Sequence, residues 1–207
     1  MRPAFYPLDT FPALAELARH WPLMQQELLA LQAPLLDIDR TDKPHQAVHA
    51  EVSAHLRQGG SYGWLKGWGE AGGNRDWVQY PLLFQDRPLA PALAALPRTL
   101  ALLGAIPGLK VAALARLEPH AWLSTHRHPE VHDEGLLQMH LTLSAASERN
   151  YAYLNVAGEF HQHRSGTATI FDGSLDHFVV NASDEARTIL YLEFERVRLS
   201  AAANQST

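Results

Sequence analysis

The residues with the most chemical potential in this chain are its histidines. There are 12 of them, beside 3 methionines and no cysteine, and seven fall between His120 and His163. Imidazole is the commonest protein metal ligand and titrates near neutral pH. The densest run is Ser124-Thr125-His126-Arg127-His128-Pro129-Glu130-Val131-His132. If this run is extended, His126, His128, Glu130 and His132 share one face, and ligands two residues apart on a strand edge can hold one cation. Mononuclear iron sites commonly use two histidines and one carboxylate, often as His-x-Asp/Glu followed by a distant histidine. Two readings stay open: His126 leads the motif with His128 in the carboxylate's place, or His128-Pro129-Glu130 is a literal His-x-Glu. A solvated loop without metal is the plain alternative.

Three further positions can complete such a site. His177 follows the turn Asp172-Gly173-Ser174 at the start of an apolar segment, and strands far apart in sequence become neighbours in a jelly roll. Residues 136–144 alternate: Leu137, Met139, Leu141 and Leu143 share one face, while Gln138, His140, Thr142 and Ser144 share the other. Periodicity does not decide whether that polar face meets solvent or a pocket. Arg187 opens the apolar run Thr188-Ile189-Leu190-Tyr191-Leu192. A guanidinium drawn into a core requires a partner, either a structural carboxylate or a dicarboxylate cosubstrate held bidentately.

The elements that must position these residues form two halves. Apolar residues Leu14, Leu17, Trp21, Met24, Leu28 and Leu31 recur at helical spacing, predicting a helix over 10–31 with Thr10 as N-cap and a break or kink at Pro22. Residues 58–76 are glycine-rich, including Gly69, Gly72 and Gly73, and read as loops around short strands. Residues 77–84 read as a strand interrupted by Pro81. A second helix is expected over 97–105, stopped by Ile106-Pro107-Gly108. Beyond it come short strands at 111–117, 136–144, 151–156, 167–171, 177–180 and 188–195, a spacing that argues for a sandwich or barrel. The chain is expected to be a single domain over 1–207, with a helical and loop part over about 1–109, a catalytic core over about 110–198 and a frayed tail over about 200–207. Trp64, Trp68, Trp77 and Trp122 are available to contact a substrate or to fill the core.

Composition narrows the function. With 46% hydrophobic and 19% charged residues, the chain is globular rather than disordered. The absence of cysteine excludes disulfides, zinc–thiolate sites and cysteine nucleophiles. A net charge of -5 without a Lys/Arg cluster speaks against nucleic-acid partners. No apolar run is long enough to span a membrane, nor does the start read as a secretory signal, so a cytoplasmic location is the default expectation.

Taken in order, these segments resemble the aspartyl/asparaginyl β-hydroxylase family. The resemblance is carried by Pro97-Arg98-Thr99 with Ile106-Pro107-Gly108, by Leu117-Glu118-Pro119 ahead of His126, by Met139-His140-Leu141, and by Ile170-Phe171-Asp172-Gly173-Ser174 to His177 with Asn181 and Arg187. The ten-residue step from His177 to Arg187 is its most specific feature. It implies a mainly β (α+β) fold, a double-stranded β-helix of jelly-roll or cupin-like type with flanking N-terminal helices. It also implies a dioxygenase using Fe(II), O2 and 2-oxoglutarate to hydroxylate an amino acid that is free, carrier-bound or peptidyl. His126 and His177 would bind the iron, with His128 as candidate third ligand. His140 and Arg187 would hold the carboxylates of 2-oxoglutarate.

The sequence departs from the family at three places. Gln138 stands where an arginine is common, removing one cationic contact to the cosubstrate. His128 stands where the family has glycine or aspartate. The loop from Pro129 to Gly135, with His132, Asp133 and Glu134, is longer than usual. An empty coordination position at residue 128 would open halogenation or desaturation on the same scaffold. A cupin-like metal or small-molecule binding module is the non-enzymatic alternative, encouraged by Gln138.

Overall fold

The computed structural model describes residues 2–38, 40–68 and 74–201. Of the tail expected to fray over about 200–207, residues 200 and 201 end the last helix, and residues 202–207 and the glycines at 69, 72 and 73 lie outside the described residues. Strands β1 (Phe5–Tyr6), β2 (Leu65–Gly67), β3 (Asn74–Phe84), β4 (Arg87–Pro88), β5 (Leu109–Leu117), β6 (Ala121–His126), β7 (Leu136–Ser144), β8 (Ala152–Val156), β9 (Glu159–Gln162), β10 (Ala168–Phe171), β11 (His177–Asn181) and β12 (Arg187–Glu195) build two sheets. The larger runs β1-β10-β7-β12-β5-β3-β2, with β4 on β3, and the smaller runs β6-β11-β8-β9. Every pairing between these strands is antiparallel. The chain crosses between the sheets repeatedly, and the result is a double-stranded β-helix, the jelly-roll architecture.

Alternation divides the large sheet into two faces. On one, Leu137, Met139, Leu141 and Leu143 of β7 join Leu190, Leu192 and Phe194 of β12 in the main core. Helices α1 (Pro12–Arg19), α2 (Trp21–Ala30), α4 (Ala90–Ala95) and α5 (Pro97–Gly104) cover that face through Leu14, Leu17, Met24, Leu100 and Leu103. The other face meets the small sheet across a second cluster containing Trp77, Leu117, Phe171, Leu154, Val156 and Val179. Helix α3 (His45–Arg57) packs Val48 and Val52 against Leu36, Ile38 and Leu65 at the open end. Short helices α6 (Pro129–Asp133) and α7 (Arg196–Ala201) complete the chain. No helix among the described residues is long and apolar enough to cross a membrane.

Three local expectations are corrected. The single helix over 10–31 is two, broken at His20, and Pro22 lies in the first turn of α2 rather than at the break. That is the position where a missing N–H costs nothing. Thr10 ends a short 3-10 turn, while Phe11 precedes α1 without a side-chain cap. The extended reading of 126–132 holds only as far as His126: Pro129 sits at the start of α6, so Glu130 and His132 leave the face of the strand. Periodicity did not reveal α3, whose mean polarity hides its apolar stripe, nor the short β9.

Candidate metal centre

His126 ends β6 and His177 begins β11, and the two are direct partners in the antiparallel ladder. Their ring centroids are 4.2 Å apart. His128 completes the group, with centroids 5.2 Å from His126 and 5.5 Å from His177. One ligand atom from each of the three lies within 4.8 Å of the others. The turn fixes this arrangement. The backbone N–H of His128 donates to the carbonyl of Gly173 at 2.9 Å, tying it to the residues just before His177. The Asp172 carboxylate accepts the N–H of Ser174 at 3.0 Å, closing the turn. A Cβ at Gly173 would lie 2.1 Å from the side-chain oxygen of Gln138 and would displace that amide.

The three imidazoles have their Nδ1 atoms engaged. His126 Nδ1 meets the Ser124 carbonyl at 2.7 Å, and His177 Nδ1 meets that of Leu175 at 2.8 Å. His128 Nδ1 meets the Glu130 carboxylate at 3.0 Å. With Nδ1 carrying the proton as donor, each ring keeps Nε2 as its available lone pair, the usual arrangement in which an outer partner orients a ligating histidine. Burial also favours the neutral form of His126 and of His177. Desolvation lowers His126 to about 4, outweighing its bond to Ser124, and with His126 nearby it lowers His177 to about 3. Neutral imidazole is the form that binds a cation. Glu130 is outside the three-histidine group, so the literal His-x-Glu pairing is replaced by a carboxylate that buttresses His128.

The remaining expected residues line the same cleft. Gln138, His140 and Arg187 all face it. Thus the polar alternation of β7 meets a pocket rather than solvent. Arg187 is fully enclosed, and burial alone lowers it to about 9. Among the described residues its one hydrogen bond is from Nη1 to the Ala115 carbonyl at 3.4 Å, and Nε is buried without a partner. A guanidinium so placed is costly unless an anion joins it. Asn181 sets the approach to β12, donating to the carbonyls of Glu118 at 3.0 Å and Glu185 at 2.9 Å. His140 Nδ1 contacts His163 Nε2 at 3.2 Å, and burial drives both rings well below the ordinary histidine range.

Several cleft residues carried little sequence signal. Tyr191 and Glu193 stand opposite His140 and Gln138 across the β12–β7 ladder. The Gln138 amide donates to the Tyr191 hydroxyl at 2.7 Å and to Glu193 at 3.2 Å, and the Tyr191 hydroxyl donates to Glu193. Their alternation within the apolar run of β12 was the available clue. Trp68 and Trp77 form an aromatic wall, with centroids 5.2 Å apart and Trp68 edge-on to His126 at 4.9 Å. Trp64 packs on Tyr80, and Trp122 is 68% exposed on the outer side of β6, so neither serves the cleft. Arg40 also lines it. Lying among Asp37, Asp39 and Asp42, it reads in sequence as a solvated charge.

Fold and site together describe a jelly-roll protein that holds a three-imidazole cluster beside a buried guanidinium. A family model for aspartyl/asparaginyl beta-hydroxylase matches residues 18–197, and the chain belongs to that family. It is 25% identical over 195 residues to the ornithine lipid ester-linked acyl 2-hydroxylase of Rhizobium tropici, covering 93% of this chain. The chain spans 60% of the length of that relative. Among solved structures it is similar to the cupin domain of Cnp3 from Schizosaccharomyces pombe (TM-score 0.40, 8% identity, 63% of this chain and 73% of that one). It is likewise similar to a cupin domain of an XRE-family transcriptional regulator from Enterobacter cloacae (TM-score 0.39, 17% identity, 58% and 97%).

Proposed function

We propose that this protein is an Fe(II)- and 2-oxoglutarate-dependent dioxygenase that hydroxylates an unactivated C–H bond. One observation carries the reading: three imidazoles converge in the same cleft as a buried guanidinium that has no carboxylate partner among the described residues. The donor set fits a divalent metal of the imidazole-binding group, and the orphaned Nε of Arg187 fits a carboxylate. His126, His128 and His177 would hold the iron. When bound, iron with O2 supplies the oxidising power, and 2-oxoglutarate supplies two electrons as it becomes succinate and CO2.

The protein's own groups bind and orient. Arg187 takes the distal carboxylate of 2-oxoglutarate as a charge-assisted pair. His140 contacts the cosubstrate from the neighbouring strand, and Gln138 closes that side as part of the cluster with Tyr191 and Glu193. Trp68 and Trp77 shield the metal group from bulk water. The substrate class we assign is an amino acid, free, carrier-bound or peptidyl. The relative from R. tropici, named for an ester-linked acyl chain, widens this to acylated molecules. His128 fills the position whose vacancy halogenation would require, which favours hydroxylation.

The test is succinate release from 2-oxoglutarate under air with Fe(II), together with a search for a product one oxygen heavier in a panel of amino acids and their acyl derivatives. Succinate should form only when iron, 2-oxoglutarate and O2 are all present. Its absence at saturating 2-oxoglutarate across the panel would favour a cupin-like binding module instead.

A further inference from the structure

A second cavity lies under α3 beside the metal cleft. The two spaces share a floor. Gln79 faces Ala115 and Pro81 faces Ala113 across the β3–β5 ladder, and residues two apart on a strand point the same way. Gln79 and Ala115 line the metal cleft, while Pro81 and Ala113 line the α3 cavity. Small side chains on β5 keep this floor low. The walls are apolar, with Val48 and Val52 from α3, Leu65 from β2 and Val111 from β5. A cavity of this kind gains free energy by enclosing an apolar body.

Arg40 and Gln79 line both spaces. The Arg40 residue keeps some exposure, but its Nη1 is buried and has no hydrogen-bond partner among the described residues. Its guanidinium lies 5.6 Å from the centre of the Trp77 ring. Desolvation lowers its pKa, with Tyr191 and Glu193 acting on it only through space. The Glu193 carboxylate is already engaged by Tyr191 and Gln138. A cation in this setting is stabilised by an anion brought within hydrogen-bond reach. Because Arg187 already answers to one carboxylate, the cleft has places for two.

We propose that Arg40 and the α3 cavity form a substrate subsite for an amphipathic carboxylate, its anionic group on the Arg40 guanidinium and its apolar body among the α3 side chains. Calling the ligand a substrate rests on the functional reading above; the binding chemistry does not. The ligand class is thus narrower than amino acids at large: a carboxylate bearing an alkyl or acyl body.

Calorimetry on the full chain, loaded with Fe(II) and 2-oxoglutarate under anaerobic conditions, tests this with three probes: decanoate, decanol and acetate. Decanoate should bind, with decanol and acetate each at least about tenfold weaker, since each lacks one of the two contributions. Arg40→Gln should weaken decanoate by about ten- to a hundredfold and leave 2-oxoglutarate binding unchanged. Val48→Phe and Ala113→Leu fill the cavity from opposite walls, and whichever retains the wild-type melting temperature should also weaken decanoate. The proposal is overturned if wild type does not bind decanoate, if Arg40→Gln binds it as wild type does, or if that variant loses 2-oxoglutarate as Arg187→Ala does, which would assign Arg40 to the cosubstrate. Failure of wild type to bind 2-oxoglutarate would instead remove the functional reading, and the decanoate arm, repeated without 2-oxoglutarate, would still decide the subsite.

Discussion

Two pairs of histidines sit in one barrel and are built differently. His126 and His177 lie within the small sheet, opposite each other in the ladder, and each has its Nδ1 satisfied by a backbone carbonyl. His140 and His163 span the two sheets, are nearly inaccessible, and have each other as partners. In the first pair the backbone fixes the tautomer and leaves Nε2 for a cation. In the second, one proton is shared across the contact. If His140 donated it, the remaining N–H of His163 would lie on its buried, unpartnered Nδ1, and an orphaned buried N–H is rare. The favoured arrangement has His163 Nε2–H donating, which leaves His140 with its own proton on Nε2, a donor suited to a carboxylate. The lesson is that a backbone acceptor on Nδ1 leaves Nε2 free to accept a cation, whereas a second imidazole partner turns the ring into a hydrogen-bond donor.

The largest effect should come from the first pair. His126→Ala or His177→Ala should abolish turnover and retained iron, measured by metal analysis after desalting, whereas His163→Ala should keep the metal. Equal metal loss in all three would erase the distinction between the pairs. Arg187→Ala should raise the apparent KM for 2-oxoglutarate by about ten- to a hundredfold, the worth of a charged hydrogen bond; an unchanged KM would make the arginine structural. Next, Glu130→Gln should weaken metal affinity by about tenfold, as loss of an outer partner does, with little effect on the KM for 2-oxoglutarate. His163→Gln, which keeps a donor, should preserve that KM better than His163→Ala; identical values would show that His163 only fills space.

A different kind of effect is the acid response of the metal-free protein. All four histidines have folded pKa values below the unfolded value of about 6.5. Below that value the unfolded chain binds protons that the folded chain refuses. Stability is therefore complete above about pH 6.5 and falls as pH drops toward the folded values, by at most about 1.4 kcal/mol per pH unit for each such group. Melting temperature followed from pH 8 to 5 should decline only over the acid half, and less steeply in His163→Gln. A flat profile would mean these rings are hydrated.

Much of this was legible in the chain. The alternation of β7, the turn before His177 and the step to Arg187 pointed to strands and to residues that the fold brings to one cleft. The strand boundaries followed because apolar alternation and turn residues are local signals. What stayed hidden was non-local. No periodicity tells that Gln138 will meet Tyr191 and Glu193, since that depends on the β7–β12 register. Arg40 sits among aspartates in a loop, and only the tertiary fold lays it beside Trp77. Pro129 was visible, yet its helix-starting role was outweighed by the appeal of an extended histidine run, so Glu130 was read as a rival ligand rather than a brace for His128.

The central claim is that the three histidines and Arg187 form one composite site for iron and 2-oxoglutarate. Anaerobic calorimetry of 2-oxoglutarate into wild type, with and without Fe(II), tests it most directly, with His177→Ala and Arg187→Ala alongside. Tight binding should require both iron and Arg187 and should vanish in His177→Ala. Binding of 2-oxoglutarate that is indifferent to iron, or intact in His177→Ala, would contradict the account.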